Sequence, residues 1–143
     1  MRHRRALSVM AGVLAFAVAA CGSQISDKYV IENEPYTLEP VIGSELLKVT
    51  LDEQAVERIG IQVGHVTSSS EQQLVPSGAL WMDVDGVFWV YTNPEPNVYL
   101  RHRVDVLDDD GTHAILASGP EPGTPVVTVG VPELFGTEVG VGK

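Results

Sequence analysis

Val75-Pro76-Ser77-Gly78-Ala79-Leu80-Trp81-Met82-Asp83-Val84-Asp85-Gly86-Val87-Phe88-Trp89-Val90-Tyr91 reads as two strands joined by a tight acidic turn. Ala79 to Met82 form the first arm, Asp83-Val84-Asp85-Gly86 the turn, and Val87 to Tyr91 the second arm. Asp and Gly supply the turn conformations that other residues resist. Side chains alternate along a strand, so Val87, Trp89 and Tyr91 point one way and Phe88 and Val90 the other. A strand that is apolar on both faces is buried on both sides, which predicts a central place for this one. Five of the nine aromatic residues fall between Trp81 and Tyr99, so the core is expected to nucleate here.

Working outward, the N-terminus has a different character. Arg2, His3, Arg4 and Arg5 make a basic start, and Ala6 to Ala20 an apolar run. That run is shorter than the about 20 residues a spanning helix needs. A basic start, a short apolar run and small residues before a cleavage point are the marks of an export signal. The ending Val18-Ala19-Ala20-Cys21-Gly22 resembles a bacterial lipoprotein lipobox. The resemblance implies cleavage before Cys21 and a covalent lipid on its thiol; an uncleaved anchor or an ordinary signal peptide is the alternative. The expected organisation is a signal peptide at 1–20, a lipidated tether at 21–45, a β domain at 46–134 and a flexible tail at 135–143.

Cys21 is the single cysteine, so no internal disulfide can staple the chain and stability must come from packing. Three of the nine basic residues lie within the leader and all 19 acidic ones beyond it. Six basic against 19 acidic residues leaves the processed chain a formal charge of −13. Such a surface repels phosphate backbones and anionic head groups. The expectation is no nucleic acid as partner, and attachment to a membrane through the lipid rather than a basic patch.

Gly22 to Pro40 is polar without a sustained period, with a weak strand signal at Tyr29 to Ile31. Leu46 to Leu51 alternates as a half-buried strand. Thr50-Leu51-Asp52-Glu53 fits a capping box for a helix over Asp52 to Arg58, with Val56 and Ile59 as its apolar edge and Gly60 as its stop. Ile61 to Val66 predicts a strand, and Thr67 to Gln73 a polar connector. Asn93-Pro94-Glu95-Pro96-Asn97 predicts a loop, because its prolines remove donors. Val98 to Leu107 alternates with Leu100, His102, Val104 and Val106 inward and Arg101, Arg103 and Asp105 outward. Asp108-Asp109-Asp110-Gly111 turns the chain, His113 to Ala117 returns, Ser118 to Gly123 turns again, and Pro125 to Val131 is the last clear strand. From Pro132 the pattern fades and the tail is expected to pack loosely. About seven short strands and one short helix indicate an all-β domain, a small β-barrel or two-layer sandwich.

Chemistry is sparse. His65, His102 and His113, with Met82 as a soft companion, lack any chelating local spacing, whereas a metal site needs three or four converging ligands. Asp105, Asp108, Asp109, Asp110 and Gly111 do not match the alternating acidic loop that binds calcium. Asp83 and Asp85 read as turn residues. Ser68 to Ser70 sit in a polar connector without a paired histidine to activate them. The reading is therefore non-catalytic, with no metal and no cofactor besides the lipid on Cys21. Most of the aromatic cluster is assigned to the core; Trp81 and Tyr99 are the candidates for contact with a partner.

Val49 to Ile61, Val75 to Leu80 with Gly86 to Tyr91, Arg101 to Val106, Leu116 to Gly123 and Val126 to Gly130 together resemble the membrane-proximal domain of the periplasmic adaptor subunits (membrane fusion proteins) of efflux pumps. The resemblance covers Leu46 to Leu134. It departs where the family inserts a lipoyl-like domain and a long helical hairpin, a gap that Thr67 to Leu74 crosses here in a few residues. What it implies is an adaptor-like β fold on a lipid anchor at the outer face of the cytoplasmic membrane, docking an efflux transporter component. The alternative is a lipoprotein that binds a metal or small ligand.

Overall fold

The computed structural model describes residues 34–69 and 72–140. The leader, Cys21, the weak strand signal at Tyr29 to Ile31, Ser70 and the last three residues lie outside them. In chain order the elements are β1 (Tyr36–Pro40), β2 (Leu47–Leu51), α1 (Glu53–Ile59), β3 (Gln62–His65), β4 (Thr67–Ser69), β5 (Gln72–Pro76), a 3-10 turn (Ser77–Ala79), β6 (Trp81–Met82), β7 (Phe88–Glu95), β8 (Val98–Asp109), β9 (His113–Ser118), β10 (Pro125–Val129) and α2 (Val131–Val139). The all-β expectation holds: ten antiparallel strands form one sheet that nearly closes into a barrel.

Closure depends on one residue. β3 and β4 are a single run of chain interrupted at Val66. Its first half pairs β10, Pro125 opposite His65, and its second half pairs β5, Thr67 opposite Leu74. At the break Val66 turns its side chain inward, and its backbone exchanges hydrogen bonds with the next turn instead: Val66 N donates to Thr124 O at 2.9 Å and Gly123 N to Val66 O at 2.8 Å. From there the order runs β10, β7, β8, β9 and back to β5. The seam between β10 and β7 is narrow, a single bridge of Val126 to Thr92.

β7 is central, as its two apolar faces require. It pairs β8 along one edge and β6 and β10 along the other. Its even-numbered side chains enter the barrel, where Val90 packs with Val66, Val75, Val104, Leu116 and Val126. Its odd-numbered side chains meet a second core on the outside. There Tyr91 packs with Val49, Leu51, Ala55, Tyr99, Val127 and Leu134 under β2, α1 and α2. Each fully buried Val or Leu contributes roughly 1.5–3 kcal/mol of transfer free energy, so neither layer is decoration.

Several local expectations are corrected. Tyr36–Pro40, inside the expected tether, is a strand because it finds β2, with Leu38 opposite Val49. Thr67–Ser69, expected as connector, is the closing half-strand; its residues are exposed, so apolar alternation could not reveal it. Asn93 to Glu95 extend β7 rather than looping, and Asn97 alone carries the positive φ of the turn. The cap of α1 is Asp52, whose Oδ1 accepts from Ala55 N at 2.6 Å, not Thr50. Ala79 belongs to the 3-10 turn and not to the first arm. Residues 135–139, expected as a loose tail, are the body of α2. Along β8, Val104 and Val106 face the core and Arg103 and Asp105 are exposed as expected, but two positions differ. Arg101 is half-buried, because α2 covers the odd-numbered face of β8 at Tyr99 and Arg101, and His102 is exposed.

Candidate functional site

The site is built on the outer face of the β7–β8 ladder. The register sets Trp89 opposite Arg103 and Tyr91 opposite Arg101, with Trp81 of β6 beside Trp89. Aromatic and cationic side chains therefore share one face. Across it lies α2, which starts where Gly130 takes a left-handed φ of 96° and Pro is accommodated in the first turn. It ends at left-handed Gly140, whose N–H reaches back to the last carbonyls. Leu134 and Glu138, four residues apart, share its inner face.

Glu138 is 5% exposed and joins three strands to the helix. Its Oε2 accepts from the Tyr91 hydroxyl at 2.6 Å, and its Oε1 from Leu47 N at 3.3 Å. The guanidinium of Arg101 approaches through Nε, 3.3 Å from Oε2, off the axis of a directed hydrogen bond; the contact is ionic. A buried carboxylate is tolerable only with its lone pairs occupied, and here it has two donors and a cation. Burial, then the bond to Glu138 and its charge, push the Tyr91 phenol well above its ordinary range, so it stays a neutral donor.

Arg101 is gripped on its faces as well as its edge. Its Cζ lies 4.4 Å from the centre of the Trp89 ring and 5.5 Å from that of Phe135. Phe135 in turn packs on Trp81 with ring centres 5.0 Å apart. Trp89 is itself held, because its indole Nε1–H donates to Asp83 Oδ2 at 2.8 Å. The other oxygen of Asp83 accepts from Asp85 N and Val87 N, and these bonds hold its carboxyl below the usual range, the indole bond most of all.

Beside this assembly opens a shallow groove of about 470 Å³, lined by Ser44, Glu45, Leu46, Trp89, Arg101, His102 and Arg103. It combines an aromatic wall with two guanidinium groups, a lining that suits an anion, with Glu45 at its side.

The residues singled out in the sequence fall elsewhere. Tyr99 is 2% exposed and belongs to the outer core, so as a partner contact it is corrected: α2 and β2 cover it. Trp81 is half-buried against Phe135, with its indole N–H buried and lacking an acceptor among the described residues. His65, His102 and His113 lie on β3, β8 and β9, and among the described residues no three His, Cys, Asp or Glu side chains converge. Met82 is 57% exposed. The aspartates are used in turns and between segments: Asp110 accepts from Thr112 N and His113 N, Asp109 from Gly111 N and the Ser77 hydroxyl, and Asp105 from the Ser118 hydroxyl across the β8–β9 pair. Cys21 lies outside the described residues. Among the described residues no helix is long and apolar enough to cross a membrane.

Sequence reasoning missed Glu138 and turned Arg101 outward. The available signal was the glycine and proline before Glu133, with Leu134 and Glu138 four apart. Comparison of the chain with protein-family models, with curated proteins and with solved structures finds no match.

Proposed function

We propose that this chain is a non-catalytic envelope lipoprotein whose β domain docks onto a membrane transporter as an accessory or adaptor component of an efflux system. The export leader ending at Cys21 and the adaptor-like order of strands from Leu46 to Leu134 support the reading. The observation that carries it is the packing of the barrel. Val66, Val75, Val90, Val104 and Val126 fill the interior at 2% exposure or less. A binding barrel keeps its interior for the ligand; a filled one leaves recognition to the outer surface. Lipid on Cys21 raises the local concentration of the domain at the outer face of the cytoplasmic membrane, so modest contacts are enough.

Cross-linking in intact cells, followed by capture of the tagged chain from detergent-solubilised membranes, tests the reading. Recovery of a transporter permease or ATPase is the expected result, and repeated recovery without any transporter component overturns it. Tight copper, zinc or calcium binding in native mass spectrometry, lost on replacing His65, His102 and His113, would establish the ligand-binding alternative instead.

A further inference from the structure

We propose that the groove between Trp89, Arg101 and Arg103 receives carboxylate side chains from an acidic segment of the partner protein. The inference deepens the docking reading and rests on it.

The first argument is the preorganisation of Arg101. Its side chain is 14% exposed; Glu138 meets it through Nε, and the Asp83 carboxylate that holds Trp89 lies near enough to feel its charge. The Nη pair has no acceptor among the described residues. Trp89 and Phe135 fix the plane of the guanidinium, and Glu138 fixes its edge. A fork of N–H donors held in one orientation and free at its outer end matches a carboxylate geometrically, with little rotamer entropy left to lose.

The second argument is charge. The chain carries a formal −10, so an acidic segment is repelled over most of its surface. Four basic side chains fall within the described residues: Lys48, Arg58, Arg101 and Arg103. Lys48 is paired with Glu39 at 2.6 Å and Arg58 sits on α1, while the other two share this groove with exposed His102. Arg103 has only a loose contact of 4.0 Å with Asp105, and its side chain is 66% exposed. Glu45 lines the same groove and opposes an anion, so one side of it is repulsive and the acceptor's position is thereby restricted.

The test uses the full lipidated chain in neutral detergent micelles. It is titrated with a blocked five-glutamate peptide, the matching five-glutamine peptide and glycerol 3-phosphate as a soluble head-group probe, read by tryptophan fluorescence and calorimetry. The expected result is saturable binding of the glutamate peptide at least about tenfold tighter than the glutamine peptide, weakening as salt rises. Arg103→Gln, an exposed change that leaves the core intact, should weaken it about fivefold, and Arg101→Lys, which keeps the charge beside Glu138 but loses the fork, about tenfold. Equal affinity for the two peptides, or binding indifferent to Arg103→Gln, overturns the proposal. So does Arg103-dependent binding of glycerol 3-phosphate that exceeds peptide binding, since it would assign the groove to a lipid head group. No transporter enters this titration, so its failure is separable from failure to capture one.

Discussion

The Tyr91 hydroxyl donates to Glu138 Oε2 across 47 residues of sequence, at 2.6 Å inside the outer core. That bond fixes α2 to the central strand, and Arg101 and the Leu47 amide complete the surroundings of the carboxylate. Removing the acid is therefore far worse than removing the phenol. Glu138→Ala leaves a largely buried cation unpaired and should cost about 3–5 kcal/mol. Tyr91→Phe leaves the acid two partners and should cost about 1 kcal/mol. Urea denaturation of both variants and of the double variant checks this, with a coupling free energy expected above about 0.5 kcal/mol.

Stability should fall at alkaline pH. An unfolded tyrosine titrates near pH 10. Folded Tyr91 titrates well above that, first because it is buried and then because of Glu138. Above about pH 10 the unfolded chain releases a proton that the folded chain retains, so stability is full below that pH and declines as pH rises, by up to about 1.4 kcal/mol per unit. Buried Tyr99 is shifted in the same direction. Unfolding midpoints from about pH 9 to about pH 11 should drop for the parent chain and drop less, though still measurably, for Tyr91→Phe.

The acid side tests Asp83. Its carboxyl is depressed by the Trp89 indole and by the Val87 amide, so its contribution is complete above the unfolded value near 3.9 and is lost as pH falls through the folded one. Tryptophan emission of the parent should change in that acid range, before global unfolding, as the indole bond breaks. In Asp83→Asn that acid step should vanish.

Gly130→Ala should destabilise the chain by about 1–3 kcal/mol, through its left-handed backbone alone. A Cβ there would also lie 2.9 Å from Ile59 Cγ2 and 3.0 Å from Ile61 Cγ1. The cost should exceed that of Gly136→Ala, whose Cβ would meet nothing within 4 Å. Thermal melts of the two variants give the comparison.

The hub of the fold was legible because Val87 to Tyr91 is apolar at every position, and only a strand with cores on both sides satisfies that. α1 was legible from Gly60 and its apolar edge, and the turns from their aspartates and glycines. What could not be read was pairing. Thr67–Ser69 is exposed throughout, and Tyr36–Pro40 turns only Tyr36 and Leu38 toward the core, too few to mark a strand; both pair because partners with open edges lie beside them. The site failed to show for a related reason. Arg101 and Glu138 are polar residues at positions that only the packing of α2 turns inward, and a local pattern of apolar residues cannot announce a buried charge pair.

The break at Val66 also makes closure of the ring depend on a distant strand. The run that it divides must find β10, whose contacts reach from Gln62 to Val129, before the ring is complete. Joining positions so distant demands a large loss of chain entropy ahead of any reward, which makes the step slow. A polypeptide delivered N-terminus first should therefore be unable to close the ring until Pro125–Val129 has arrived.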